Sequence, residues 1–209
     1  MYKVRKLILI PILIFCISVI YLNHLRKDSF QEQKTLLSDL SNGEFNLTLN
    51  EMDNINTKYP SLAINTIPIK TLKSRYLNFH KRKNEANVLI DIALNENPYS
   101  VYSYYLKARI LIEQNRNLKA LDYLREAYRL SPETYYSTSI YVTLLGNFKL
   151  HQELLDIFPQ IKLSSNWNIW NFYLLALDNS RLEKNSQELN QIFSFARGKF
   201  KDKQINFNN

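Results

Sequence analysis

Three histidines, one cysteine and 19 carboxylates are the residues of this 209-residue chain whose chemistry could serve acid–base, nucleophilic or metal-dependent reactions. Their spacing assembles no site. His24, His80 and His151 stand far apart, and none has a neighbour at a metal-ligand interval. Cys16 has no second cysteine to pair with, which excludes an intrachain disulfide and a cysteine-based metal centre. Carboxylate pairs such as Asp91/Glu96 and Glu183/Glu188 are ordinary on helix surfaces. No G-x-S-x-G, P-loop, dinucleotide fingerprint or H-E-x-x-H occurs. The reading is a non-enzyme with no cofactor and no metal. That leaves recognition, for which the chain carries 14 tyrosines and an excess of cations. A tyrosine ring packs while its hydroxyl stays wet, so the count suits a half-buried structural role and an interface alike.

Recognition residues need elements to hold them. Only 3 glycines occur, Gly43, Gly146 and Gly198, well below the usual ~7%. Sandwiches, barrels and phosphate loops spend glycine on turns and close backbone approaches. With 45% hydrophobic residues the chain is not disordered, and an all-α class follows.

Residues 1–6 form a basic flank with Lys3, Arg5 and Lys6. Residues 7–22, LILIPILIFCISVIYL, carry no charge, and Asn23, His24, Leu25, Arg26 and Lys27 follow. Sixteen helical residues reach ~24 Å, and flanking cations that snorkel tolerate a slightly short span. Residues 7–25 therefore read as a transmembrane anchor. A cleaved signal peptide would need small residues after the apolar run, which are missing. A lipoprotein would need them before Cys16, where Ile14 and Phe15 stand. A buried core helix would need a polar face. Three cations before the span against two after it favour an extracytoplasmic (periplasmic) C-terminal part.

Residues 26–66 read as a helical stalk or a divergent helix pair. Phe30, Leu36, Leu37 and Leu40 recur at helical spacing up to Ser41-Asn42-Gly43, and Leu49, Met52 and Ile55 suggest a short helix before Tyr59-Pro60. Beyond them lies a repeat. Pro98/Pro132, Ala86/Ala120, Ile90/Leu124 and Ala93/Ala127 are each 34 residues apart. Segment 101–134 carries Tyr104, Ala108, Leu111, Ala120, Leu124, Ala127 and Pro132, with a turn at Gln114-Asn115-Arg116-Asn117. Small residues at Ala108 and Ala127 let two helices cross closely, and Pro132 ends the second helix.

This set resembles the tetratricopeptide repeat family. Flanking units are degenerate: Lys70 and Ser74 replace the aromatic and the small residue upstream. Downstream, Gly146-Asn147 sits at the turn, Leu154 replaces an alanine and Pro159 falls early. Phe172 and Ala176 echo Tyr104 and Ala108, and Asn185 with Glu188 reads as a helix start. The resemblance implies a short α-solenoid over 67–200, followed by a polar tail at 201–209.

It also implies a concave groove lined by the first helix of each pair: Arg75 and Asn78, then Tyr102, Tyr105, Arg109 and Ile112, then Tyr136, Ser139 and Thr143. Tyrosine and arginine are favoured at interfaces, so a protein partner with an acidic peptide or helix is expected; alternatively the tyrosines only cover the surface between repeats. The cations Lys70, Lys73, Arg75, Lys81, Arg82 and Lys83, and Arg197, Lys199, Lys201 and Lys203, form two clusters within a net charge of +8. They read as solvated faces, or as contacts to anionic lipid or an acidic partner. The anchor and the lack of a binding motif argue against nucleic acid. The resulting expectation is a membrane-anchored scaffold or adaptor, with the bacterial envelope (secretion, pilus or surface glycan machinery) implied by the resemblance. A structural subunit of a larger membrane complex and an anionic-lipid surface module are the alternatives.

Overall fold

The computed structural model describes residues 2–57, 62–63, 65–180 and 187–203, without the side chains of 2–10, 25, 26, 28, 29 and 32. The side chains of Lys3, Arg5, Lys6 and Arg26, and all of Tyr59-Pro60, Glu183, Asn185 and the tail beyond 203, lie outside what is described. All regular elements among those described are helices: α1 (Tyr2–Asn42), α2 (Leu49–Asn54), α3 (Ile69–Phe79), α4 (Lys83–Glu96), α5 (Val101–Glu113), α6 (Asn117–Leu130), α7 (Tyr135–Asn147), α8 (His151–Asp156), α9 (Phe158–Leu163), α10 (Trp167–Asn179) and α11 (Gln187–Lys199). An isolated antiparallel bridge joins Leu62 to Pro68. The chain divides into two units, residues 1–97 and 98–209.

In the first unit, α1 runs through the expected boundary at residue 25 without a break. Between Pro11 and Gly43 the sequence holds no glycine or further proline, so nothing stops the helix. It ends at Gly43, which takes the left-handed conformation (φ 74°) while the Glu44 N–H bonds the Asp39 carbonyl at 2.8 Å, a Schellman-type stop. Among the described residues no helix is long and apolar enough to cross a membrane. The described side chains of the apolar run cover only 11–22, about 18 Å of helix, against a hydrocarbon core of about 30 Å. The span expected over 7–25 is therefore not found as an element of its own. All of 11–24 is exposed.

The end of α1 belongs to a core. Leu36 packs with Met52, Ile55, Ala63, Ile69, Leu72 and Tyr76, while Phe30 stays outside. Helix α2 starts with a capping box: the Thr48 hydroxyl accepts the Glu51 N–H, and the Glu51 carboxylate accepts the Thr48 N–H at 2.8 Å. Residues 33–57 are thus packed into the first unit and do not form a free stalk.

Helix pairs α3/α4, α5/α6 and α7/α8–α9 repeat in local geometry. Their turns put Lys81, Asn115 and Lys149 at positive φ (65°, 58° and 56°). At each turn a helix-ending bond closes, Arg82 N to Leu77 O, Arg116 N to Leu111 O and Leu150 N to Leu145 O, all at 2.9 Å. These positions are 34 residues apart. Ser74, which looked like a departure from the pattern, is fully buried, and its hydroxyl donates to the Ala86 carbonyl at 2.8 Å. It fills the small-residue role with its polar atom satisfied.

The second unit has its own core, centred on Leu111, Leu124, Leu145, Trp170 and Tyr173. Ala108, Leu111, Ala120, Leu124 and Ala127 are buried as expected for the crossing of α5 and α6; Tyr104 is half-buried near Tyr123, and Pro132 is half-buried. Gly146 has a different role from the one its sequence position suggested. It lies in the last turn of α7, where a Cβ would meet the Ala176 Cα and carbonyl oxygen at 2.8 Å. The glycine lets α7 and α10 touch backbone to backbone, and the turn itself uses Lys149. Pro159 enters near the start of α9 and splits the second helix of this pair in two.

Candidate functional site

Seven of the groove residues expected from the sequence lie on α5 and α7 of the second unit, among them Ile112 of α5, which is half-buried against the core. Their placement follows from the helix register: Tyr102, Tyr105 and Arg109 share one face of α5, and Tyr136, Ser139 and Thr143 share one face of α7. Three of them make an aromatic cluster. The Tyr105 and Tyr136 rings meet edge to face at 4.6 Å and Tyr102 and Tyr136 likewise at 6.0 Å, while Tyr102 and Tyr105 lie tilted at 5.8 Å. Tyr102 and Tyr105 are half-buried and Tyr136 is 37% exposed. Burial pushes the Tyr136 hydroxyl above its ordinary value, with Tyr105 adding to the shift.

Arg109 stands one turn along, half-exposed. Its guanidinium lies 5.9 Å from the Tyr105 ring and 3.8 Å from the Glu113 carboxylate. The Glu113 contact is long and solvent-facing, so a partner carboxylate could replace it cheaply. The two hydroxyl residues are spent internally. Thr143 donates to the Ser139 carbonyl at 2.7 Å, and Ser139 is buried, its hydroxyl directed at the Tyr136 carbonyl. The α7 side of the face is therefore Tyr136 alone, because a back-bonded serine or threonine presents no free donor.

Arg75 and Asn78 belong to the first unit, and Arg75 is engaged there. Its guanidinium stacks over the Phe45 ring at 3.9 Å and donates to the Asp39 carbonyl at 3.2 Å. Phe45 in turn stacks on Phe79 at 3.9 Å, so Arg75 and Phe79, one turn apart on α3, clasp the segment that follows α1. This is a structural role, and Asn78 on the same helix is half-buried. Register alone could not tell an arginine facing a partner from one clasping a preceding loop.

Two cations of the first basic cluster, Lys70 and Arg82, are paired with carboxylates within the fold. Lys70 pairs with Glu96 and donates to the Thr57 carbonyl at 2.9 Å. Arg82 bridges Asp53 and Glu85, and Lys73 donates to the Asp53 carbonyl at 3.1 Å, its amine held below the ordinary value chiefly by burial. In the second cluster Arg197, Lys199, Lys201 and Lys203 are exposed; Lys199 donates to the Lys162 carbonyl at 2.7 Å.

One polar network in the second unit had no sequence signal. Arg125 on α6 grips Glu153 on α8 with two hydrogen bonds, at 2.7 and 2.9 Å, and the Tyr141 hydroxyl on α7 donates to the same carboxylate at 2.6 Å. The Arg125 hydrogen bonds hold the Glu153 carboxyl below its usual range. The network ties three helices together and leaves the carboxylate saturated with donors, which suits a clamp better than a general base. Among the described residues no group of three or more His, Cys, Asp and Glu side chains is placed to hold a metal. No family model matches the chain, and neither a curated protein nor a solved structure does.

Proposed function

We propose that this chain is a membrane-anchored helical adaptor of the tetratricopeptide-like kind, which holds an acidic protein segment on the face formed by Tyr102, Tyr105, Arg109 and Tyr136. The observation that carries the reading is the tyrosine cluster. Three large rings are kept at the surface of two helices and braced against one another. Such rings lose little conformational freedom on binding and offer apolar area with a polar rim. Arg109 beside them supplies a planar fork for a carboxylate.

The anchor part of the proposal rests on α1. Every described side chain from Pro11 to Leu22 is exposed, on all sides of the helix. A one-sided stripe would suit a protein neighbour, whereas apolar exposure all round suits lipid. The uncharged run of 7–22 with its flanking cations extends the same logic to residues whose side chains are not described. The cation balance favours a C-terminal part outside the cytoplasm, and the family resemblance suggests envelope assembly as its setting.

The test is site-specific photocrosslinking of the full-length protein in its native membrane, with the photoreactive residue at Tyr102, Tyr105, or the exposed control Leu118. A crosslink confined to the tyrosine positions and lost with Arg109→Glu is expected. Equal crosslinking from Leu118, or none from the tyrosines, would overturn the reading. Combined Tyr102→Ala, Tyr105→Ala and Arg109→Ala substitution separates the adaptor from a buried structural subunit: the adaptor stays folded and loses its ligand, while the subunit loses complex assembly.

A further inference from the structure

We propose that α1 is a rigid strut that fixes the first unit at a set height above the lipid. This rests on the anchor reading given above. Three observations carry it. First, α1 is one unbroken helix from Tyr2 to Asn42, with no glycine and no proline after Pro11, so it has no residue that would form a hinge.

Second, burial along it changes abruptly. Asn23, His24, Lys27, Phe30 and Gln31, the described side chains between the apolar run and the domain, are all exposed; Gln33, Leu36 and Asp39 are 5%, 1% and 1% exposed. Leu22 to Gln33 is 11 residues, or about 16 Å of helix. The headgroup layer takes about 5–8 Å of this. The core of the first unit therefore begins about 10 Å beyond the headgroups when α1 lies along the membrane normal.

Third, the far end of α1 is locked. The buried Asp39 carboxylate accepts the Tyr76 hydroxyl of α3, the Asn46 N–H at 2.9 Å and the Asn46 side-chain amide at 2.8 Å, and its carbonyl accepts Arg75. A saturated buried carboxylate resists any change of helix angle, because rotation would strand a charge away from water. Lipid-embedded helix and first unit move together.

Cys16, the one cysteine of the chain, lies exposed within the apolar run and serves as the probe. The full chain is reconstituted in phosphatidylcholine nanodiscs with a nitroxide at Cys16, and relaxation by oxygen and by an aqueous nickel chelate reads immersion. A second label at Lys34→Cys or Asn95→Cys then gives distance distributions by pulsed electron resonance. Expected are preference for oxygen at Cys16, about 27 Å from Cys16 to residue 34, and one narrow distance to residue 95 that broadens when Gly-Ser-Gly-Gly is inserted after His24. Preference for the nickel chelate would overturn the anchor and the strut with it. Immersion of Cys16 combined with a broad distance to residue 95 in the uninserted chain would overturn the strut while leaving the anchor standing.

Discussion

Gly146→Ala adds a single methyl group in the last turn of α7, at the point where that helix meets α10. The new Cβ would lie 2.8 Å from the Ala176 Cα, 2.8 Å from its carbonyl oxygen and 3.0 Å from its Cβ. Two of these three atoms are backbone, so no rotamer change relieves the contact and the helices must part. Overpacking a tight core site costs about 1–3 kcal/mol. Against this, alanine is favoured over glycine by up to about 1 kcal/mol in a helix interior, and by less near an end. The balance is a loss of about 1–2 kcal/mol, or roughly 5–10 °C in Tm for a unit of this size. Gly198→Ala is the control. Gly198 lies in α11, and a Cβ there meets nothing within 4 Å, so only the backbone term acts and stability should rise by up to about 0.5–1 kcal/mol. Urea unfolding of both variants of the full chain, followed by circular dichroism, gives the two signs. Equal stabilisation by the two substitutions would refute the backbone contact between α7 and α10.

Other expectations follow from the same geometry. Ala108→Leu or Ala127→Leu should overpack the crossing of α5 and α6 and cost about 1–3 kcal/mol; an unchanged midpoint in urea would mean that these residues do not sit at the crossing. The Glu153 carboxyl, lowered by Arg125, contributes stability that is complete above its unfolded pKa of about 4.3 and is lost as pH falls through its lower folded value. Glu153→Gln should therefore flatten the acid limb of a stability–pH profile, and an unaltered limb would mean that the Arg125–Glu153 contact adds no pH-dependent stability. The hydroxyls of Tyr128, Tyr141 and Tyr173 are all pushed up chiefly by burial. Their neutral forms favour the fold, so this stability is full below about pH 10 and fades as pH rises above it. Tyrosinate absorbance should show part of the tyrosine population ionising only together with unfolding, and a single smooth titration in the folded state would contradict the burial.

The helical class was legible because it depends on local terms. Scarce glycine and 3.6-residue periodicity act within one or two turns of chain, and the 34-residue spacing of Ala86/Ala120, Ala93/Ala127 and Pro98/Pro132 repeats such local signals along the sequence. The packing of Ala108, Leu111, Ala120, Leu124 and Ala127 could be read for the same reason: residues on one helix face enter the core together. On the candidate site the register placed Tyr102, Tyr105 and Tyr136 on faces where they meet. It misjudged Ser139, whose buried position and hydrogen bond depend on what α7 packs against, and it could not foresee that Arg75 clasps Phe45, a residue 30 positions earlier.

The amino-acid sequence by itself determined the helical class and the turn between α5 and α6, because prolines, turn residues and periodicity are local energies. Tertiary structure decided how each helix face is used. Gly146 looked like a turn residue until Ala176 was seen against it. Residues 26–66 read as a helical stalk or a divergent helix pair, and only the structure puts Leu36 and Asp39 inside the first unit. The clamp of Arg125, Tyr141 and Glu153 exists only where α6, α7 and α8 converge. The physical reason is common to all three: excluded volume and the satisfaction of buried polar atoms are set by which surfaces meet, and one-dimensional spacing does not encode the partner across the interface.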